Sequence, residues 1–161
     1  MNDYVYVGKI INTHGIKGEL KVLSDFIDKE KVLLPDKVIY IGTNKIKEVI
    51  KTHRIHQNYD LITLENYINI NEVLKYKGLS IYVKRNTLDR KYFLNDLIGM
   101  NVIDNNITYG KIIDYYNFNG NIVLLVNGKK QFFIPYNKEY INNVDLLKKE
   151  VICNHVKDLI L

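Results

Sequence analysis

Apolar and polar positions alternate along this chain in short bursts, broken at close spacing by glycine, asparagine, aspartate and proline. That rhythm predicts an all-β protein. In "ELKVL" (19–23), Leu20 and Val22 fall on one side of a strand and Glu19 and Lys21 on the other. In "LSIYVK" (79–84), Leu79, Ile81 and Val83 share the apolar side. "VYVGKIIN", "DKVIYIG" and "YDLITLE" complete a first group whose strand number suits a small closed barrel. Helical signals are brief. "DKEKVLL" and "NINEVLKYKG" predict one or two turns each, the second capped by Asn69 or Asn71 and stopped at Gly78.

Between Lys84 and Lys91 the alternation gives way to "RNTLDRK", a polar run long enough to join two domains. The predicted organisation is a domain over 1–84, a basic linker over 85–91 and a second domain over 92–161. In the second, "MNVID", "YGKIIDYY", "NIVLLVNGKKQFFIP", "KEYINNV" and "KEVIC" read as strands. Asn127-Gly128 is read as the type I′ turn of a hairpin, since both residues accept positive φ. Pro135, which has no N–H, ends that ladder. Tyr115 and Tyr116 are adjacent on a strand and face opposite sides, one of them towards a core. The pattern supports two small β-barrels in tandem and does not choose between a closed and an open second one.

Composition and charge narrow the partners. Lys and Arg number 23 against 18 Asp and Glu, a net charge of +5 that favours polyanions such as RNA. The excess is spread over both halves, with local clusters at "KIKEVIKTHR" (Lys45–Arg54), read as a charged strand face, and "KRNTLDRK" (Lys84–Lys91). A single cysteine, Cys153, excludes an intramolecular disulfide or a multi-cysteine zinc site and fits a reducing compartment. No leader and no run of 18 apolar residues is present, so a cytoplasmic protein is expected, without membrane contact.

Candidate chemistry is sparse. His14, His53, His56 and His155 are scattered, His53 and His56 point to opposite faces if extended, and no metal or cofactor is expected. Neither a nucleophile elbow nor a P-loop nor a dinucleotide fingerprint occurs, so no catalytic residue is assigned. Gly15-Ile16-Lys17-Gly18 formally matches the GxxG clamp of KH domains, but strands rather than helices flank it. It reads as a turn whose glycines supply positive φ, with Ile16 tucked inward. Folding does not explain His14 and Lys17, which are the loop's candidates for RNA or protein contact.

"VGKIINTHGIKGELKVLSDF" (7–26) resembles the N-terminal signature of the RimM family of ribosome maturation factors, through Gly8, His14, Gly15, Gly18, Glu19, Leu20 and Val22. "YFLNDLIGMNVID" resembles the entry of that family's PRC-barrel, through Tyr92, Phe93, Asp96, Leu97, Ile98 and Gly99. Gly110, Ile134, Pro135, Ile141, Val144 and Asp145 extend the match. The chain departs from the pattern at Phe93, where tyrosine is usual, and in the tail "NHVKDLIL".

The resemblance implies a translation-factor-like six-stranded barrel followed by a PRC-barrel. It also implies a monomeric, non-enzymatic factor that binds the small (30S) ribosomal subunit precursor and promotes head assembly and 16S rRNA processing. The implied partners are ribosomal protein number nineteen of the small subunit and nearby 16S rRNA. Tyr92, Phe93, Asp96, His14 and Lys17 are the expected partner contacts, and Arg85, Arg90 and Lys91 the expected phosphate contacts. The alternatives are a PRC-barrel adaptor for another ribonucleoprotein or protein complex, and an RNA-processing enzyme.

Overall fold

The computed structural model describes residues 3–161; Met1 and Asn2, at the head of the expected first domain, lie outside the described residues. The chain divides into two compact units, one ending at Asp89 and the other spanning Arg90–Leu161.

In the first unit, β1 (Tyr4–His14), β2 (Glu19–Leu23), β3 (Val38–Ile41), β4 (Ile46–His56), β5 (Tyr59–Leu64) and β6 (Ser80–Lys84) close into a barrel in the order β1-β2-β5-β4-β3-β6. All six pairings are antiparallel. Period-2 alternation sends Val5, Val7, Leu20, Val22, Ile39, Ile41, Ile81 and Val83 inward, each at most 6% exposed. Full burial of such a side chain contributes about 1.5–3 kcal/mol, so this interior dominates over the two one-turn helices, α1 (Lys29–Val32) and α2 (Ile70–Val73). The strand absent from the alternating set is β4. Its charged sequence buries only Ile50, and a bulge between Ile50 and Thr52 shifts its register.

Three polar groups inside this unit are accounted for. Asp60 on β5, 2% exposed, accepts from Lys29 Nζ at 3.0 Å and meets His53 Nε2 at 2.7 Å. Ser24 Oγ donates to the Val7 carbonyl at 2.6 Å. Asp28, buried behind α1, lies 3.7 Å from Lys31 Nζ. Of the two candidate caps of α2, Asn69 is the one used: its Oδ1 accepts from the Asn71 N–H at 3.0 Å. Gly78, at φ +85°, follows the 3-10 turn Leu74–Tyr76 that extends α2.

In the second unit, β7 (Asn101–Asp104), β8 (Ile107–Phe118), β9 (Asn121–Asn127), β10 (Gln131–Pro135), β11 (Ile141–Asp145) and β12 (Glu150–Cys153) form one sheet ordered β10-β9-β8-β7-β12-β11. Its hydrogen bonds do not close a ring: β10 and β11 are edges, and β12 runs parallel to β7. The sheet wraps a core of Leu97, Val102, Ile112, Leu124, Val126, Ile134, Val151 and Val156, all fully buried. Tyr115 packs against that core, and Tyr116 faces out at 39% exposed.

The expected hairpin forms, but its turn differs. Asn127 stays in β9, opposite both Gln131 and Lys111, and the loop is Gly128-Lys129-Lys130, with the Gly128 N–H donating to the Lys130 carbonyl at 3.2 Å. Neither Asn127 nor Gly128 has positive φ. Glycine is needed at 128 for room: a Cβ there would sit 2.0 Å from the Tyr109 carbonyl oxygen. Two-residue turns with two positive φ angles stand elsewhere: Asn105-Asn106, at 49° and 64°, closes β7 onto β8, and Asn119-Gly120, at 53° and 92°, closes β8 onto β9.

Candidate interaction surfaces

The polar loop between β1 and β2 is a four-residue turn. Its ends are the paired residues His14 and Glu19, and Gly15 and Gly18 sit at φ +69° and +85°. The loop is tied down from behind. The Ile16 carbonyl accepts from the Ile70 N–H at 3.1 Å, and a Cβ on Gly18 would stand 3.0 Å from the Asn69 carbonyl oxygen. This anchoring corrects the expectation for Ile16: with its backbone held against α2, its side chain projects to solvent, 81% exposed.

The expected contacts at this loop divide. His14 is half-buried and its ring lies 5.2 Å from that of His56. Glu19 takes the Arg54 guanidinium through two hydrogen bonds of 2.9 Å, a fork-to-carboxylate geometry. Those hydrogen bonds, against the opposing effect of burial, hold the Glu19 carboxyl below its usual range. Lys17 is exposed and shares a shallow depression of about 550 Å³ with Lys51, Thr52, Thr63 and Ile68. Tyr67 lines it too, its hydroxyl donating to Glu48 at 2.7 Å, and the Tyr76 hydroxyl donates to the same carboxylate. Burial, then the hydrogen bond to Glu48, pushes the Tyr76 phenol upward.

At the entry of the second unit, Tyr92 and Lys91 line a cleft of about 360 Å³ with Tyr136, Asn137, Lys138 and Ile141. The Tyr92 and Tyr136 hydroxyls are 2.6 Å apart. Burial, then this hydrogen bond, raises the Tyr136 phenol, and Arg90 opposes the shift. Phe93 is corrected as a contact: it is 3% exposed, so its ring is off the accessible surface. Its backbone is extended (φ −115°, ψ 159°), so its side chain diverges from that of Tyr92, which lines the cleft. Asp96 is engaged locally, accepting from the Phe93 N–H at 2.8 Å to begin the 3-10 turn Leu94–Leu97. Arg85 follows β6 and is half-buried, its N–H donating to the Asp3 carbonyl at 2.7 Å. Arg90 and Lys91 are exposed.

Two surfaces lay outside the expected residues. On the outer face of the second unit, Tyr116 stacks 6.2 Å from Phe118 and meets Phe133 edge-on at 6.2 Å. In the ladder Val123 lies opposite Tyr116 and Leu125 opposite Phe133, Pro135 flanks Val123 on its other side, and Phe118 and Phe133 are 61% and 50% exposed. The signal was available: alternation in "YYNF" and "QFFIP" leaves aromatic rings on the side away from the core. The other surface is the outer face of the barrel, where Tyr4, Tyr6, Tyr40 and Tyr82 stand among lysines. Cys153 lies beneath the second sheet, 2% exposed, and burial with the nearby Asp104 pushes its thiol up to about 12, so it stays protonated at neutral pH.

A closed six-stranded barrel followed by a six-stranded sheet on its own core, each with rings or cations on its outer face, defines a tandem β-domain protein. Residues 5–88 match the family model described as the RimM N-terminal domain, and residues 94–159 the one described as the RimM PRC barrel domain. The chain belongs to the RimM family. It is 35% identical to the ribosome maturation factor RimM of Staphylococcus aureus strain bovine RF122 / ET3-1, over 97% of this chain and 98% of that one. The protein of the same name from strain JH9 is 34% identical over the same shares. A crystal structure of a 16S ribosomal RNA processing protein RimM from Pseudomonas aeruginosa aligns over 97% of this chain and 99% of that one, at 24% identity and a TM-score of 0.48.

Proposed function

We propose that this chain is a ribosome maturation factor: a non-enzymatic, monomeric, cytoplasmic protein that binds the small ribosomal subunit precursor and promotes head assembly and 16S rRNA processing. The observation that carries this reading is the match to both RimM domains in order, with 35% identity to a protein of that name over nearly the whole chain. Ribosomal protein number nineteen of the small subunit is the proposed protein partner. Support comes from the apolar row of Tyr116, Phe118 and Phe133, since aromatic rings in an exposed patch are the usual anchors of a protein contact. Tyr92, Lys91 and Lys138 around the second-unit cleft, and His14 and Lys17 on the first-unit loop, are further proposed contacts, with Asp96 positioning the turn behind Tyr92. Arg85, Arg90 and Lys91 are proposed phosphate contacts, with 85–91 as the basic connector.

The factor works by population shift: it favours the head conformation it binds more tightly, by as much as its affinities for the competing conformations differ. Support for a non-enzymatic role is that the one thiol is buried and protonated, and that His53 is committed to Asp60. The test is depletion in the source bacterium, with tagged full-length protein used for recovery. The expected result is accumulation of unprocessed 16S rRNA, and co-recovery of the tagged protein with small-subunit precursors and protein number nineteen. Normal processing with recovery of an unrelated complex would overturn the reading in favour of an adaptor.

A further inference from the structure

Across the outer face of the barrel, Tyr6 on β1, Tyr82 on β6 and Tyr40 on β3 lie directly opposite one another on three neighbouring strands, and Lys47 on β4 continues the row. One step along, Tyr4 pairs with Lys84. The rings touch: Tyr6 and Tyr82 at 6.0 Å, Tyr4 and Tyr40 at 5.2 Å, both edge-to-face. Lys45 Nζ lies 4.0 Å from the Tyr82 ring centre and 5.5 Å from that of Tyr4, and Lys84 Nζ lies 5.5 Å from that of Tyr40. Beside them opens a cleft of about 310 Å³ whose lining includes Lys37, Lys47, Lys84, Tyr40 and Asn86, with Asp36 as the carboxylate.

Folding explains only half of this arrangement. The inward alternates of the same strands, Val5, Val7, Ile39, Ile41, Ile81 and Val83, build the core and force the tyrosines outward. An outer face needs polar groups for solubility, which lysine alone supplies. Four phenol rings there expose apolar area that the barrel does not require, with Tyr6 at 47% exposed.

We propose that this tyrosine–lysine face binds single-stranded RNA, stacking unpaired bases on the rings and taking phosphates on Lys45, Lys47 and Lys84. The source of that RNA, a ribosomal RNA precursor, rests on the function proposed above; the platform itself rests on the geometry. Rings interleaved with cations suit a flexible polyanion with accessible π-faces. The charge balance favours nucleic acid over a protein: Lys37, Lys45, Lys47 and Lys84 face Asp36 in the cleft and Asp25 beside Tyr6. Duplex RNA hides its base faces, so stacking selects unpaired segments. Cation–π contact holds the ammonium groups over the sheet, where phosphates pass when bases lie on neighbouring rings.

The test titrates full-length protein into a fluorescein-labelled uridine oligoribonucleotide, with a duplex of equal length beside it. Tyr6→Ala with Tyr40→Ala should weaken single-strand binding about tenfold or more, and Tyr6→Phe with Tyr40→Phe should stay within about threefold of the parent. Lys45→Ala with Lys84→Ala should lower the slope of log affinity against log salt by about 0.7 per lysine. Duplex binding as tight as single-strand binding, or an alanine pair that keeps its circular dichroism and its affinity, overturns the proposal. If the alanine pair unfolds, the lysine pair decides, and an unchanged salt slope overturns it. No oligonucleotide binding by the parent protein, with small-subunit recovery intact, removes this inference alone; oligonucleotide binding by the parent without small-subunit recovery removes the proposed function alone.

Discussion

The two units each display aromatic rings on the outer face of a sheet, and the two faces differ in what lies between the rings. On the barrel, tyrosines alternate with lysines, and ammonium groups sit 4.0 to 5.5 Å from ring centres. On the second sheet, Tyr116, Phe118 and Phe133 are set among Val123, Leu125 and Pro135. Rings with cations recognise an extended polyanion, whereas rings with aliphatic neighbours gain most from expelling water against another apolar surface. A factor that must hold both RNA and protein of one assembly can thus divide the work between its two domains.

The comparison presumes intact scaffolds, and the largest expected effect is on one of them. Asp60→Ala removes a buried carboxylate that joins β4, β5 and α1, and should lower barrel stability by about 3 kcal/mol in urea unfolding. Single-strand RNA binding should then vanish with the barrel transition, while the Tyr116–Phe133 face survives. Loss of both faces in one transition would break the comparison. Next comes Gly128→Ala in the second unit, expected to cost about 2 kcal/mol, because the new methyl meets the Tyr109 carbonyl oxygen at 2.0 Å. Its denaturant midpoint should fall while oligonucleotide affinity stays unchanged.

The smallest effect is electrostatic. Above its ordinary pKa of 9.0, Cys153 ionises in the unfolded chain but keeps its proton in the fold, where the thiol is pushed up to about 12. The folded state then binds more protons than the unfolded one, so the second unit loses stability as pH rises from 9 to 12. Glu19 in the barrel has the opposite sense, since its lowered carboxyl contributes stability that is lost as acid protonates it. Cys153→Ser should flatten the alkaline decline most around pH 9, where unfolded tyrosine, with its ordinary value of 10.0, is still mostly protonated. An unchanged decline would assign it to other groups.

Much of this fold was legible because a half-buried strand writes its two faces into alternate positions. Eleven of the twelve strands fall on stretches with visible apolar positions, and both RimM domains were legible in glycines and aromatics at fixed places. β4 was legible only as the charged strand face of Lys45–Arg54, because a strand with one buried residue and a bulge leaves little alternation. The turn at Gly128 was misread because Asn-Gly signals positive φ, and the sequence does not record that Tyr109 passes close by from another strand. Phe93 resembled its half-buried neighbour Tyr92 in chemistry, and only an extended backbone separates their directions. The tyrosine face was the hardest to foresee, since its rings come from β1, β3 and β6 and meet only when the barrel closes.

Ultraviolet cross-linking of the full-length protein to small-subunit precursors, followed by mapping of nucleotide adducts by mass spectrometry, tests the division of labour most directly. The account predicts adducts on peptides carrying Tyr6, Tyr40 or Tyr82, and none on those carrying Tyr116, Phe118 or Phe133. Adducts confined to the second-unit peptides, with the barrel tyrosines unmodified, would contradict it.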